Sequence, residues 1–461
     1  MEFGSTRLRH VLKALAPTAL ALGAIALASP AFAGNNNGGG RAIGGVMVNA
    51  EGVVRSATVA ETQDLVNVMR AAVHGAKGGL AKNTDLRMVS LARLQDAIIA
   101  ARQTGGDLPE SIQYMAGLQR VEYVFVDQEN NDIVLAGPAE PWKLQADGSV
   151  VGTVSGGATL RLDDLVVAMR TVENARQAGI TCSIEPTAEG RARLQQLMKR
   201  VKLRPGQNPA YLESSMREAF GPQQILLTGV DSKSRYARTL VAADYEMKRI
   251  AMNLATSDVK GLPSYVQMSK NSKQASGVNP RWWMACNYDA LQRSEDGTAW
   301  KLSGQGVRTE TEQDEIAADG TAKASGRKNT LAQKWADLMT EHYTELAKQK
   351  PIFSDLRNIM DLTVVATLIT QERLAEKAGL DVALYATESD TLQTATYVAP
   401  TTVAPQCSFI KGRSGWTVTA SGGVDVSAFD VVEKQAVDSS VAGIKAVAIA
   451  SASKENWWWN K

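Results

Sequence analysis

An α+β class is predicted, as a mixed multidomain fold of short antiparallel hairpins and amphipathic helices, on three observations. Short β-branched runs flank polar turns at 43–54 and 123–135. Between and beyond them, apolar residues return at spacings of three and four, the period of a helix with one buried face. Roughly 428 residues follow a leader-like start, enough for two or three packed domains.

That start is the most specific signal in the chain. Arg7, Arg9 and Lys13 precede an alanine- and leucine-rich run from Ala14 to Ala28, and Ala31-Phe32-Ala33 gives the small-x-small pattern of a signal-peptidase site. The run is too short for an ordinary spanning helix. Residues 1–33 are therefore read as a signal peptide, with the mature chain starting near Gly34 and working in the periplasm or secreted. No cysteine stands at the cleavage point to carry a lipid. No later segment reaches about 18 uninterrupted apolar residues, so no transmembrane span is expected in the mature chain.

Removing Glu2, Arg7, Arg9 and Lys13 from 50 basic and 48 acidic residues leaves 47 of each. A neutral mature chain gives no reason to expect nucleic acid as a partner. Three cysteines, Cys182, Cys286 and Cys407, allow one intramolecular disulfide or none. Their spacing is unlike a zinc site, and with only His74 and His342 left after the leader, no metal and no cofactor is expected.

The elements follow in order. Asn35–Gly40 brings little apolar surface to offset ordering and reads as a flexible arm. Ile43–Val48, a turn at 49–52 and Val53-Val54 make a hairpin. Thr58-Val59-Ala60-Glu61 is a capping box for a helix carrying Leu65, Val68, Met69 and Ala72, and a second helix spans Leu91–Ala101. Tyr123–Val126 and Ile133–Leu135 form the clearest hairpin, which Pro138 and Pro141 end before Trp142. A strand at Val150–Val154, the Ser155-Gly156-Gly157 turn and a helix through Leu165, Val166, Met169 and Val172 complete a mixed α/β domain at 34–180. The turn lacks the spacing of a nucleotide-binding loop.

A central α/β domain at 181–330 starts with a helix around Arg191–Val201 and a strand at Ile225–Val230. Pro263–Asn279 reads as a polar connector, Arg281–Tyr288 and Trp300–Val307 as strands, and charged Thr309–Asn329 as an exposed loop or mobile arm. The last domain, 331–461, opens with a helical pair, one through Leu331, Trp335, Leu338, Met339 and Leu346, the other from Leu356 toward Gly379. A strand-rich end follows, with strands near Val424 and Val447.

Two constellations are candidate binding sites. The first is Lys233, Arg235, Tyr236, Arg238, Asp244, Tyr245, Glu246, Lys248 and Arg249, the densest polar stretch in the chain. Charges so close together suit a solvated salt network, while guanidinium and phenol groups suit an anionic or sugar-containing partner. The second is Trp457, Trp458 and Trp459, which either dock on the parent core or anchor a partner.

The chain resembles a domain-of-unknown-function family of exported planctomycete-type proteins. The likeness lies in Trp142 to Ser155-Gly156-Gly157, Leu162–Leu165, Arg238–Lys248, and Phe353 to Asp361-Leu362. It implies export and supplies no catalytic residue. No nucleophile, base and oxyanion donors are grouped along the chain. The expected function is a noncatalytic exported scaffold or protein-binding protein of the envelope, contacting an envelope protein or an anionic carbohydrate. The alternatives are a carbohydrate-active or other hydrolase, and a solute-binding protein closing around Arg235, Tyr236 and Arg238.

Overall fold

A computed structural model describes residues 42–201, 209–270, 279–317, 319–406, 408–412, 415–419, 421–452 and 457–460. The expected signal peptide, the Asn/Gly arm and Cys407 lie outside the described residues.

Helices and mixed sheets give an α+β fold. A nine-stranded sheet runs in the order Val46–Val48, Val53–Ser56, Thr402–Val403, Gln223–Thr228, Ile180–Pro186, Ser421–Val426, Asn279–Asn287, Gly306–Ile316, Ala322–Ala324. A seven-stranded sheet runs Gln435–Val437, Leu291–Arg293, Ala299–Lys301, Tyr123–Asp127, Asp132–Ala139, Thr84–Ser90, Trp459–Asn460. Both sheets take strands from all three stretches of sequence, 34–180, 181–330 and 331–461. In the larger sheet the strand Ser421–Val426, between Ile180–Pro186 and Asn279–Asn287, is Gly-rich for a steric reason. A Cβ on Gly422 would lie 1.6 Å from the Trp282 carbonyl oxygen, and one on Gly423 1.9 Å from that of Cys182.

The helix Pro351–Gln371 is the hub of the molecule. It is buried on every side apart from Arg357, Thr370 and Gln371, and it packs on the helices Leu162–Ala178, Arg235–Ala251 and Ala428–Val432. Burying its polar residues requires partners, and several come from distant parts of the sequence. Ser354 Oγ accepts the Ala158 amide at 2.7 Å and Asn358 Nδ2 donates to the Ala158 carbonyl at 2.8 Å. Asp361 receives Arg120 through two bonds of 2.9 and 3.0 Å and the Tyr288 hydroxyl at 2.6 Å. Thr363 meets the Tyr236 hydroxyl at 2.8 Å.

The first hairpin pairs Val46–Val48 with Val53–Ser56, and the capping box is complete, with Thr58 Oγ1 accepting the Glu61 amide and Glu61 accepting the Thr58 amide. The helices Leu91–Gln103, Leu162–Ala178 and Ala188–Arg200 stand close to their expected positions. Several expectations are corrected. Asp132–Ala139 continues through Pro138 rather than stopping there, and the Pro138 carbonyl accepts the Gln119 amide. The connector at 263–279 contains the helix Tyr265–Lys270, whose Tyr265 ring lies 4.9 Å from Trp282 in the core. Charged 309–329 is no loose arm. Gly306–Ile316 pairs along its length with Asn279–Asn287, burying Val307, Thr309, Thr311 and Asp314 while Arg308 and Glu315 face out. Its inner face is filled largely by threonine, so the period-2 pattern carries little apolar signal. Val447 lies in the helix Ser439–Ser451, not a strand, because Asp438 caps a run rich in alanine and serine. Cys182 and Cys286 are free and buried.

Candidate functional site

Three long helices bring their N-terminal turns to one place. Leu162–Ala178, Arg235–Ala251 and Pro351–Gln371 pack on one another, and Arg235, the first residue of its helix, joins them. Arg235 Nη1 donates to Asp164 of the first helix and Nη2 lies 2.9 Å from Asp355 of the third. Acidic residues in first turns offset the positive ends of helix dipoles, and here Asp163 and Asp164 do so, Asp164 also clamping the arginine.

Above this clamp lies a cavity of about 180 Å³. Its ionic wall holds Arg161, Asp163, Arg235 and Asp355, with Tyr114 and Tyr397 at the sides. Its other wall is aliphatic: Leu65, Met69, Ala72 and Val73 from the helix Val59–Ala72 and its C-cap, with Leu108. Gly148 touches that helix, since a Cβ there would come within 2.6 Å of Leu65 Cδ2.

The charges on the ionic wall divide into two kinds. Arg235, Asp164 and Asp355 pair with one another, leaving Asp164 Oδ1 buried and unpartnered among the described residues. Arg161 forms no ion pair among the described residues; its guanidinium lies 4.7 Å from the Tyr114 ring centre and its Nε is unpartnered. Asp163 accepts one bond among the described residues, from the Ala395 amide at 3.4 Å. Burial pushes Asp164 up to about 6 despite the pull of Arg235, and burial raises Asp163 too. Burial opposes the charge on Arg235, yet Asp164 and Asp355 more than offset it and hold the guanidinium above its usual value. Tyr397 is raised by burial while Arg235, Arg161 and Arg238 draw it down.

Of the residues expected to bind, Arg235 alone lines this cavity. Arg238 sits behind it, 5.1 Å from the Tyr397 ring centre, buried with both Nη atoms unpartnered, and burial pushes it down to about 10. Tyr236 is fully buried on Thr363. Tyr245 meets Ser56 Oγ at 3.1 Å, and Arg249 lies over its ring at 5.5 Å and donates to the Leu254 carbonyl. Lys248 is enclosed, with Nζ 2.6 and 2.7 Å from the two Asp244 oxygens and 3.0 Å from the Gly422 carbonyl. Lys233 alone of this set is exposed. The solvated salt network expected here is thus largely an interior one.

The terminal indoles lie on the other sheet. Trp459 pairs with Val89, the Trp458 carbonyl accepts the Ser90 amide at 2.9 Å, and Arg87 lies 4.9 Å from the Trp459 ring centre. Trp457 packs on the cluster of Met88, Phe125 and Val134.

The Ser155-Gly156-Gly157 turn cradles the chain's own atoms. Glu140 accepts the Val154 and Ser155 amides, and the Gly157 amide donates to Ser155 Oγ. Both described cysteines are poor nucleophiles, because burial raises Cys182 and pushes Cys286 up to about 12. Among the described residues no group of three or more His, Cys, Asp or Glu is placed to hold a metal ion, and no helix is long and apolar enough to cross a membrane.

Residues 182–265 match a family described as Protein of unknown function (DUF1598). That stretch includes Arg235 and the Arg238–Lys248 segment, while Trp142–Leu165 and Phe353–Leu362 lie outside it. No curated protein and no solved structure matches the chain.

Proposed function

We propose that the chain is a noncatalytic, exported solute-binding protein whose ligand occupies the cavity between Val59–Ala72 and the three helix starts. The observation that carries this reading is that Arg161 and Asp163, which form no ion pair among the described residues, face an aliphatic wall across a partly open cavity. A concave site with an apolar wall and a few convergent polar groups is the usual form of a small-molecule site, and here polar and apolar groups line the space about equally. Export rests on the leader pattern at 1–33 and on the likeness to exported proteins. The envelope-scaffold reading drew on export, mixed-domain signals, the lack of a compact catalytic motif and the terminal indoles, and of these the indoles are engaged by the chain's own sheet. A hydrolytic alternative needs a free acid and base, but Asp164 and Asp355 are both held by Arg235.

The test is a thermal-shift screen of the purified chain against amino acids, sugars and small organic acids, run beside Leu65→Trp. At least one class is expected to raise the unfolding midpoint with concentration. The larger side chain of the variant fills the cavity and abolishes that rise. No stabilising solute, or an equal rise in the variant, would contradict the reading.

A further inference from the structure

We infer that the solute is a small aliphatic zwitterion of the α-amino-acid class, its carboxylate on Arg161, its ammonium on Asp163 and its side chain against Leu65, Met69 and Val73. This rests on the cavity being a ligand site, as proposed above. Three physical arguments narrow the class.

The first is charge. A charge taken out of water needs a counter-charge, and three half-buried charges lining the cavity form no ion pair among the described residues: Arg161, Asp163 and Asp147, the last held by the Ser149 amide and hydroxyl at 2.9 and 3.1 Å. Arg161 has an unpartnered Nε, and Asp163 has one long backbone bond. A simple anion would sit against Asp163 and Asp355, and a simple cation against Arg161 and Arg235. A ligand carrying both signs meets both demands. The start of Leu162–Ala178 adds a positive dipole end beside Arg161, the side on which a carboxylate belongs.

The second is the chemistry of the opposite wall. A sugar ring is best met by an open aromatic face, but Arg161 lies over the Tyr114 ring and Arg238 over the Tyr397 ring, at 4.7 and 5.1 Å from the ring centres. What remains is leucine, methionine, alanine and valine, a surface for a branched aliphatic chain.

The third is size. The volume of about 180 Å³ is close to that of a cavity of about 150 Å³ that takes one benzene. A single branched side chain with its α-carbon groups suits such a space, and a disaccharide does not.

The experiment is calorimetric titration of the purified chain with L-leucine, leucinamide and 4-methylpentanoate, the last two lacking the carboxylate and the amine respectively. Leucine is expected to bind, and each truncated analogue to bind about tenfold more weakly or worse, the loss of one charge-assisted contact. Arg161→Met is expected to weaken leucine and leave leucinamide unchanged. Asp163→Asn is expected to weaken leucine and leave 4-methylpentanoate unchanged. The analogue series on the unaltered chain decides the matter even if a variant fails to fold. Equal binding of leucine and both analogues would overturn the zwitterion. So would silence toward leucine while a sugar or an organic acid binds, which leaves solute binding standing. Silence toward every class would overturn both.

Discussion

Arg235 is held by carboxylates from two other helices, and the deeper of the two, Asp164, carries a proton more readily than a free aspartate. The sign of the consequence follows from linkage. A group whose folded pKa is raised, here from 3.8 to about 6, contributes stability that is full below about pH 4 and is lost as pH rises through 6. In urea titrations, the stability of the chain relative to Asp164→Asn is expected to fall between pH 4 and 7, by about 3 kcal/mol at most. A flat difference would mean that Asp164 stays ionised throughout. The density of charge around Arg235 is legible in the sequence, but its direction is not. Asp164 and Asp355 stand far away along the chain, and only the folded helices bring them to the arginine. Arg161, Tyr114 and Tyr397, which line the cavity, give no local sign for the same reason. The adjacent acids Asp163 and Asp164 are visible as a pair, yet nothing in their spacing separates the one that clamps from the one that is unmatched.

At the scale of elements, the helix Val59–Ala72 forms the aliphatic wall, and its Leu65 belongs to a small satellite cluster with Ala42 and Met47 rather than to the main core. Its start therefore depends on local chemistry. Thr58→Ala removes one half of the capping box and is expected to cost about 1 kcal/mol in this helix. Faster amide exchange confined to residues 59–72 would show it, with the Pro351–Gln371 helix unaffected. That hub helix responds differently, since Ser354→Ala leaves the buried Ala158 amide without its acceptor. A loss of about 1 to 3 kcal/mol in the global free energy of unfolding is expected in denaturant titrations. Capping boxes and helical periods are short-range signals, which is why Val59–Ala72 and Leu91–Gln103 are readable in advance. The strand Gly306–Ile316 is not, because buried threonines give its inner face the look of a polar loop.

Over the whole molecule, the two sheets knit early, middle and late sequence together, so the pairing order depends on contacts that no local pattern encodes. The end of the described chain is part of this weave. Trp459→Ala removes the ring against Arg87 and Gly79 and is expected to cost about 2 kcal/mol, given its partial burial. A lowered melting temperature with no change in solute binding would place the indole in the scaffold. An unchanged melting temperature would return it to the role of a partner anchor.

The most direct test of solute binding is amide hydrogen exchange on the intact chain with and without saturating leucine. The account predicts added protection at residues 59–73, 147–149 and 394–397, the segments around the cavity, with little change at the Trp459 edge. Unchanged exchange around the cavity, or protection that appears at the indoles instead, would contradict it.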